Sequence, residues 1–545
     1  MRYETALEYF GLRGLTPRPG QIEVLKALAS GWKDHKYFAV NAPTGTGKSH
    51  VALAVSHACD DAYVVTSTKL LQKQYKEIDS RVKEIKGRAN YPCSLVPTLN
   101  CESGPCSTFP KLKRECIGSG TCVYYNRLRE AMQAHVFLTN TQYFLYANHC
   151  GPLKPANLVP PRNVLILDEA HDLEGNVLSF AELLVAPIFL HGEFGVKGME
   201  NVEFTGKLAS DFKILMAAAE QIGRRLADFK GKIDKLYSKV GGDYRNVDEL
   251  TAEKVSVHQK KSYELDKVLQ RMKIYLNSMS SQDNRKLWMN HHDPQANTLL
   301  ISPLTSKFHF EYFLRHTADK FIFMSATLDG KDRLCKEFGI DPSDMLYVDV
   351  PSQFDPGLSP VVHVPVGKMS SREIDTTLPE VVKACRRILQ EHAGEKGLIH
   401  TTSYRVAQYI FDNLRDRRLL YARGDSMKKV TNEGILQRHR QSQDGVLLSP
   451  SMMTGVDLDE DEGRFQIVCK LPFESLGNPR TARKTKLDPE WYDLEMMKKL
   501  AQSCGRTTRS AEDSSISYIL DSSFSFYFKK YRQKLPMWFQ ERVML

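Results

Sequence analysis

The sequence predicts an α/β chain built on two parallel-sheet domains, and three observations carry that prediction. A strand-like run, Tyr37-Phe38-Ala39-Val40, leads through the glycine-rich Ala42-Pro43-Thr44-Gly45-Thr46-Gly47-Lys48-Ser49 into the helix-prone residues 50–55. Short apolar runs, suited to strands buried on both faces, recur at residues 62–66, 136–139, 164–167 and 321–324. A second set near the carboxyl end, at residues 397–400, 445–449, 466–471 and 517–520, calls for a second sheet.

Between these sets the texture changes. Leu208, Phe212, Leu215, Ala219, Ile222 and Leu226 fall at helical spacing, and Leu265, Val268, Leu269, Met272 and Leu276 repeat the pattern. A largely helical insertion is expected there, interrupted by a turn at Gly241-Gly242-Asp243.

Composition sets the bounds. The 545 residues carry 75 Lys and Arg against 65 Asp and Glu, a net charge of +10, with 42% hydrophobic and 26% charged residues. These are globular values, and they exclude a mainly disordered, collagen-like or disulfide-knot protein. The mild basic excess permits a polyanionic partner without demanding one. The amino-terminal MRYETALEYF has no basic segment followed by an apolar run, and no stretch supplies 18 uninterrupted apolar residues. A soluble, cytoplasmic protein with no membrane segment is expected.

Gly45-Thr46-Gly47-Lys48-Ser49 has the form of a phosphate-binding loop, with Ala42 in place of its first glycine. Backbone N–H groups at the glycines converge on phosphate oxygens, Lys48 brings a point charge to the β and γ phosphates, and the Ser49 hydroxyl can ligate Mg²⁺. Alone, such a match also describes a sharp surface turn. The run Val164-Leu165-Ile166-Leu167-Asp168-Glu169-Ala170-His171 makes the difference. It places two carboxylates at the carboxyl end of a buried strand, where ligands sit in open α/β sheets. There Asp168 can hold the Mg²⁺ that Ser49 touches, and Glu169 can orient or deprotonate an attacking water.

Cys93, Cys101, Cys106, Cys116 and Cys122 crowd one short segment of a chain with eleven cysteines. In a long chain without secretory features this points to metal rather than to disulfides. Zinc and an iron–sulfur cluster both accept four thiolates.

These residues resemble superfamily 2 helicases, specifically the iron–sulfur branch of DinG and XPD, and the resemblance spans most of the chain. Arg18-Pro19-Gly20-Gln21 is similar to the adenine-recognition element, with Gln21 reading the base. Residues 66–74, Thr66-Ser67-Thr68-Lys69 onward, resemble the segment that contacts the DNA backbone, and Ser325-Ala326-Thr327-Leu328 the one that links hydrolysis to DNA movement. In the second half, residues 397–404 are similar to motif IV and Gly455-Val456-Asp457 to the centre of motif V. Gln502-Ser503-Cys504-Gly505-Arg506-Thr507-Thr508-Arg509 is similar to motif VI. Arg506 and Arg509 would then be the arginine fingers that spread over the transferring phosphoryl oxygens. Thr454 and Ser522-Ser523 depart from the family's acidic residue and arginine.

The resemblance implies two RecA-like motors, the first from residues 1–85, 131–175 and 316–350 and the second from 351–545. Residues 86–130 would form an inserted iron–sulfur domain and 176–315 a helical arch. It implies ATP, bound by Arg18, Gln21, Thr44 to Ser49 and Asp457, together with Mg²⁺. A 4Fe-4S cluster would be held by Cys93, Cys106, Cys116 and Cys122, with Cys101 competing for the place of Cys106. The implied activity is an ATP-dependent DNA helicase, acting as a monomer, that moves 5′ to 3′ on single-stranded DNA and opens forked duplex. A nucleotide-switched DNA-binding or remodelling ATPase is the other class these motifs allow.

Overall fold

The computed structural model describes residues 1–107, 110–149, 160–239, 248–279, 281–421, 432–450, 460–505 and 513–545. Seven strands lie parallel in the order Met345–Asp349, Tyr37–Asn41, Ala318–Ser325, Arg162–Asp168, Ala62–Thr66, Val136–Asn140 and Lys83–Glu84. All four runs predicted after the first strand lie in this sheet. Their β-branched and aromatic residues, such as Val64, Ile166 and Phe323, are buried because helices cover both faces. Helices Tyr3–Gly11, Pro19–Gly31 and Lys48–His57 pack one face through Tyr9, Leu25 and Leu53. On the other face lie Phe144, Val177 and Phe310, in a core that continues into the cysteine-rich segment.

A second parallel sheet of seven strands follows, in the order Leu419–Leu420, Val446–Ser449, Gly397–His400, Phe465–Val468, Ile516–Asp521, Val361–Gly367 and Val543–Met544. The predicted carboxyl-terminal runs all fall here. Val361–Gly367 shifts register between His363 and Gly367, where Pro365 has no N–H to give to the ladder. The two-residue edge strands carry too little apolar pattern to be seen in sequence.

The stretch read as helical holds the long helices Leu208–Ser238 and Glu249–Ser278, packed through Leu215, Ile222, Leu265 and Met272. It also holds an antiparallel sheet, Leu183–Val185, Thr298–Pro303 and Trp288–Asp293, that the sequence reading missed. Trp288–Asp293 hides its alternation among His291, His292 and Asp293, and Leu183–Val185 finds its partner strand more than a hundred residues away. The turn expected at Gly241-Gly242-Asp243 lies outside the described residues. Among the described residues no helix is long and apolar enough to cross a membrane.

Arg162 pins the centre of the first sheet. Its buried guanidinium donates to the carbonyls of Ala62 at 3.0 Å, Ala134 at 2.7 Å, His135 at 3.1 Å, Met132 at 2.8 Å and Ala131 at 3.3 Å, and lies 4.7 Å from the Tyr63 ring centroid. Removing it leaves several buried acceptors without donors, at about 1–3 kcal/mol each before relaxation. Arg162→Met is therefore expected to destabilise the first sheet by roughly 3–5 kcal/mol, seen as an earlier first transition in urea. Arg162→Lys, with a single nitrogen, should recover only part of the loss.

Candidate functional site

The glycine-rich turn leaves strand Tyr37–Asn41 at the carboxyl rim of the first sheet and feeds helix Lys48–His57. Gly45 and Gly47 take positive φ values of 78° and 81°, a backbone that favours glycine. A side chain at Gly47 would in addition strike the Gln21 amide. Gln21 is buried. Its Nε2 donates to Gly47 O at 3.3 Å and its Oε1 accepts from Arg18 N at 2.8 Å, while the Arg18 guanidinium donates to Gly45 O. Thr46 Oγ1 donates to Pro43 O at 2.8 Å. Lys48 Nζ donates to the Ala42 and Pro43 carbonyls at 3.2 and 3.3 Å, over the mouth of the loop.

Two strands along, Asp168 and Glu169 end Arg162–Asp168. Asp168 Oδ2 accepts from the buried Tyr75 hydroxyl at 2.8 Å, Oδ1 accepts from Glu169 N at 3.0 Å, and the Ser49 hydroxyl also hydrogen-bonds Tyr75. Burial first, and then the Glu169 charge, raise the Asp168 carboxyl to about 6, against the pull of Lys48. A buried carboxylate short of positive charge, beside a hydroxyl, is a donor set that suits Mg²⁺. Tyr75 carried no signal in the sequence, because its role depends on the fold of helix Lys69–Ile78 over the sheet.

Glu169 has a left-handed φ of 54° that turns its carboxylate toward His171, Oε2 to Nδ1 at 3.2 Å. The same Nδ1 lies 2.7 Å from Ser325 Oγ, and Ser325 Oγ accepts from Thr327 N at 3.1 Å. Thr327 Oγ1 accepts from Gln502 Nε2 at 2.9 Å. This relay crosses from one sheet domain to the other. Thr44 Oγ1 donating to Gly505 O at 3.1 Å and buried Trp538 Nε1 donating to Ala326 O at 2.9 Å cross the same seam. Burial would lower His171, yet the Glu169 and Asp172 carboxylates leave it raised. Arg506, Arg509 and Asp457 lie outside the described residues, as do Gly455 and Thr454.

Comparison with known proteins follows the same layout. The Helicase C-terminal domain model matches residues 385–542 and the model for the Type III restriction enzyme res subunit matches residues 14–189. ATP-dependent DNA helicase YoaA of Haemophilus influenzae is 22% identical, covering 94% of this chain and 92% of that protein. Its Escherichia coli counterpart is 23% identical over 93% and 92%. An XPD helicase structure superposes with a TM-score of 0.62 at 14% identity over 95% of this chain and 98% of that one. S. tokodaii Xpd4 gives 0.54 at 16% identity over 94% and 98%.

The chain is similar along nearly its whole length to these helicases, and it has the fold of the XPD structures. All five clustered cysteines are buried and unpaired by disulfides. Cys93 and Cys101 flank a small antiparallel bridge between Pro92 and Asn100. Cys106 sits in the turn Pro105–Ser107, Cys116 on helix Pro110–Gly118, and Cys122 at the N-cap of helix Val123–Gln133. A hydrogen bond with Cys116 lowers Cys106 to about 7 against the effect of burial, helped by Arg88, whose Nη2 donates to the sulfur at 3.1 Å. A hydrogen bond with Cys101 lowers Cys122 to about 6, again against burial, and the N–H groups of the helix start add to it. Cys101 Sγ also lies 3.2 Å from Pro92 O, and the hydrogen bond with Cys122, followed by burial, raises its thiol well above the usual range. Five buried thiols free of disulfides, two of them drawn toward the thiolate form, are a donor set that fits either a zinc ion or an iron–sulfur cluster.

Where this segment, the first motor and the long helices meet, a cavity of about 340 Å³ is lined by Lys69, Arg88, Tyr146, Tyr263, Lys267 and Arg271, among others. No spacing in the sequence announced it, because its lining comes from three separate parts of the chain.

Gly104 packs directly on the thiols: a Cβ there would come within 2.9 Å of Cys93 Sγ. Gly104→Ala should displace that sulfur, and metal analysis of the purified variant is expected to show less than about half the wild-type metal per chain.

Proposed function

We propose that this chain is an ATP-dependent DNA helicase that moves along single-stranded DNA, 5′ to 3′, and parts duplex at a fork. The observation that carries this reading is the relay Glu169–His171–Ser325–Thr327–Gln502, which joins the hydrolytic carboxylate to the second motor through hydrogen bonds. A nucleotidase needs only the rim of the first sheet. A motor needs its hydrolysis to be felt by a second body, and this relay supplies the link.

In this reading Gln21 and Arg18 hold the adenine, and the N–H groups of residues 44–49 cradle the phosphates. Lys48 leaves the Ala42 and Pro43 carbonyls for the β and γ oxygens. Ser49 and Asp168 would hold Mg²⁺, which neutralises charge on the phosphates. Glu169, oriented by His171, accepts a proton from the attacking water. Arg506 and Arg509, with Asp457, complete the site from the second motor, and Gln502 reports the state of the γ-phosphate to Thr327. Cys93, Cys106, Cys116 and Cys122 would hold a 4Fe-4S cluster that braces its segment. Cys101, donating to Pro92 O, stays outside the ligand set. The aromatic and cationic cavity beside that segment suits a single strand, with bases on Tyr146 and Tyr263 and phosphates near Lys69, Lys267 and Arg271. Binding of this kind weakens as salt rises. A monomer working in the cytoplasm accords with this reading.

Strand displacement from duplexes with 5′ or 3′ tails tests activity, substrate and direction together. The wild type should displace the strand beside a 5′ tail, and Lys48→Ala should displace none while keeping its circular dichroism. DNA-stimulated ATP turnover without displacement on any tail would replace this reading with a nucleotide-switched binder. Cys122→Ser should lose iron and slow displacement by about tenfold or more, with ATP turnover much less affected. An unchanged displacement rate would remove the cluster from strand separation.

A further inference from the structure

We propose that helix Pro479–Leu487 is the lever through which the second motor moves the arch, one cationic face gripping both ends of the helix that runs from the acidic motif into the arch. The proposal rests on the helicase reading and names positioning residues within it.

Helix Leu173–Ala181 starts just after Asp168-Glu169-Ala170-His171 and ends at Glu182, which leads straight into the arch strand Leu183–Val185. Its two ends carry Glu174 and Glu182. Arg480 and Lys484 lie one turn apart on the same face of helix Pro479–Leu487. Lys484 Nζ pairs with Glu174, and Arg480 Nη1 pairs with Glu182 Oε2 at 3.2 Å. The two carboxylates are about 12 Å apart along their helix and the two cations about 6 Å along theirs. The long lysine and arginine arms span that difference.

Each grip reaches further into its own body. Glu182 Oε2 also accepts from Ser302 Oγ at 3.0 Å, so the carboxylate that Arg480 grips ties the start of Leu183–Val185 to the neighbouring strand Thr298–Pro303. Lys484 Nζ also lies 3.4 Å from Glu337 Oε2 on helix Lys331–Phe338 of the first motor, and 4.6 Å from the Trp491 ring centroid. With Lys484 only 8% exposed and Glu174 15%, water and salt screen this pair weakly.

The lever's other end is tied to the nucleotide site. Asp488 closes helix Pro479–Leu487 and caps the next helix, Pro489–Cys504, by accepting from Trp491 N at 3.0 Å. That second helix carries Gln502, the last member of the relay. A displacement of Gln502 is therefore carried through the Asp488 corner to Arg480 and Lys484, and from Arg480 to the foot of the arch.

The test follows the arch directly. Fluorophores on unnatural residues at Glu220 of the arch and Arg387 of the second motor report their separation with no nucleotide and with a non-hydrolysable ATP analogue. The wild type should show a nucleotide-dependent change. Arg480→Ala should lose more than half of it, while ATP turnover on single-stranded DNA stays within about twofold of wild type. Arg480→Lys should retain most of the change, and the swap of Arg480→Glu with Glu182→Arg should restore what Arg480→Ala loses. A full change in Arg480→Ala, no change in the wild type, a parallel loss of ATP turnover, or a swap that restores nothing would each overturn the lever. Strand displacement is scored separately. A wild type whose arch moves but which displaces no strand would sink the helicase reading and leave the lever standing.

Discussion

The parallel register of three neighbouring strands is the constraint on which the rest depends. Tyr37–Asn41 pairs with Ala318–Ser325 so that Asn41 stands beside Ser325, and Arg162–Asp168 pairs on its other side so that Asp168 stands beside Met324. Because all three strands run the same way, the phosphate loop, the acidic pair and Ser325-Ala326-Thr327 emerge on one rim. Asn41 secures the alignment by donating from Nδ2 to Asp349 Oδ1 at 2.9 Å and accepting from Leu328 N at 3.1 Å on Oδ1. A one-residue slip would turn every buried side chain of the central strand to the opposite face and break the relay at His171.

The seam between the two motors is held by polar contacts rather than by a shared apolar core. Lys498 Nζ lies 2.9 Å from Asp329 Oδ2 and pairs with Glu495 on its own helix, and Arg333 reaches Asp488 at 3.4 Å. Burial first, and then the Glu174 charge, raise Glu337 to about 7 against the pull of Lys484. Buried ion pairs give back much of their attraction as lost hydration, so such a seam defines a geometry at modest net stability. A surface of that kind can open and close during a cycle, whereas a wide apolar interface would lock the motors together.

The cysteine segment is not an appendage. Cys101, Cys106, Cys116 and Cys122 belong to the same buried cluster as Tyr63, Phe137 and Phe144 of the first motor, and Tyr124 hydrogen-bonds Tyr143 at 2.8 Å. Arg88 links the thiols to this core, contacting Cys106 and lying 5.4 Å from the Tyr124 ring centroid. Arg88 and Asn140 both line the aromatic and cationic cavity, so a distortion at the thiols is felt at its wall.

Local chemistry was legible wherever it is contiguous in the chain. The order strand, glycine turn and helix around Lys48, the four apolar residues before Asp168, and the clustered cysteines could be read directly, because backbone geometry and burial on both faces dictate residue type over a few neighbouring positions. The long arch helices were legible through their periodicity, whereas the arch sheet was not, since Leu183–Val185 finds its partner only at Thr298–Pro303. Tyr75 on Asp168, Trp538 on Ala326 and the grip of Arg480 on Glu182 have no local pattern at all. The sequence by itself determined which residues bear charge, thiol and phosphate-binding backbone. Tertiary structure alone decided which of them meet, because hydrogen bonds and buried ion pairs act over about 3 Å between groups that the chain separates by 93 to 298 residues.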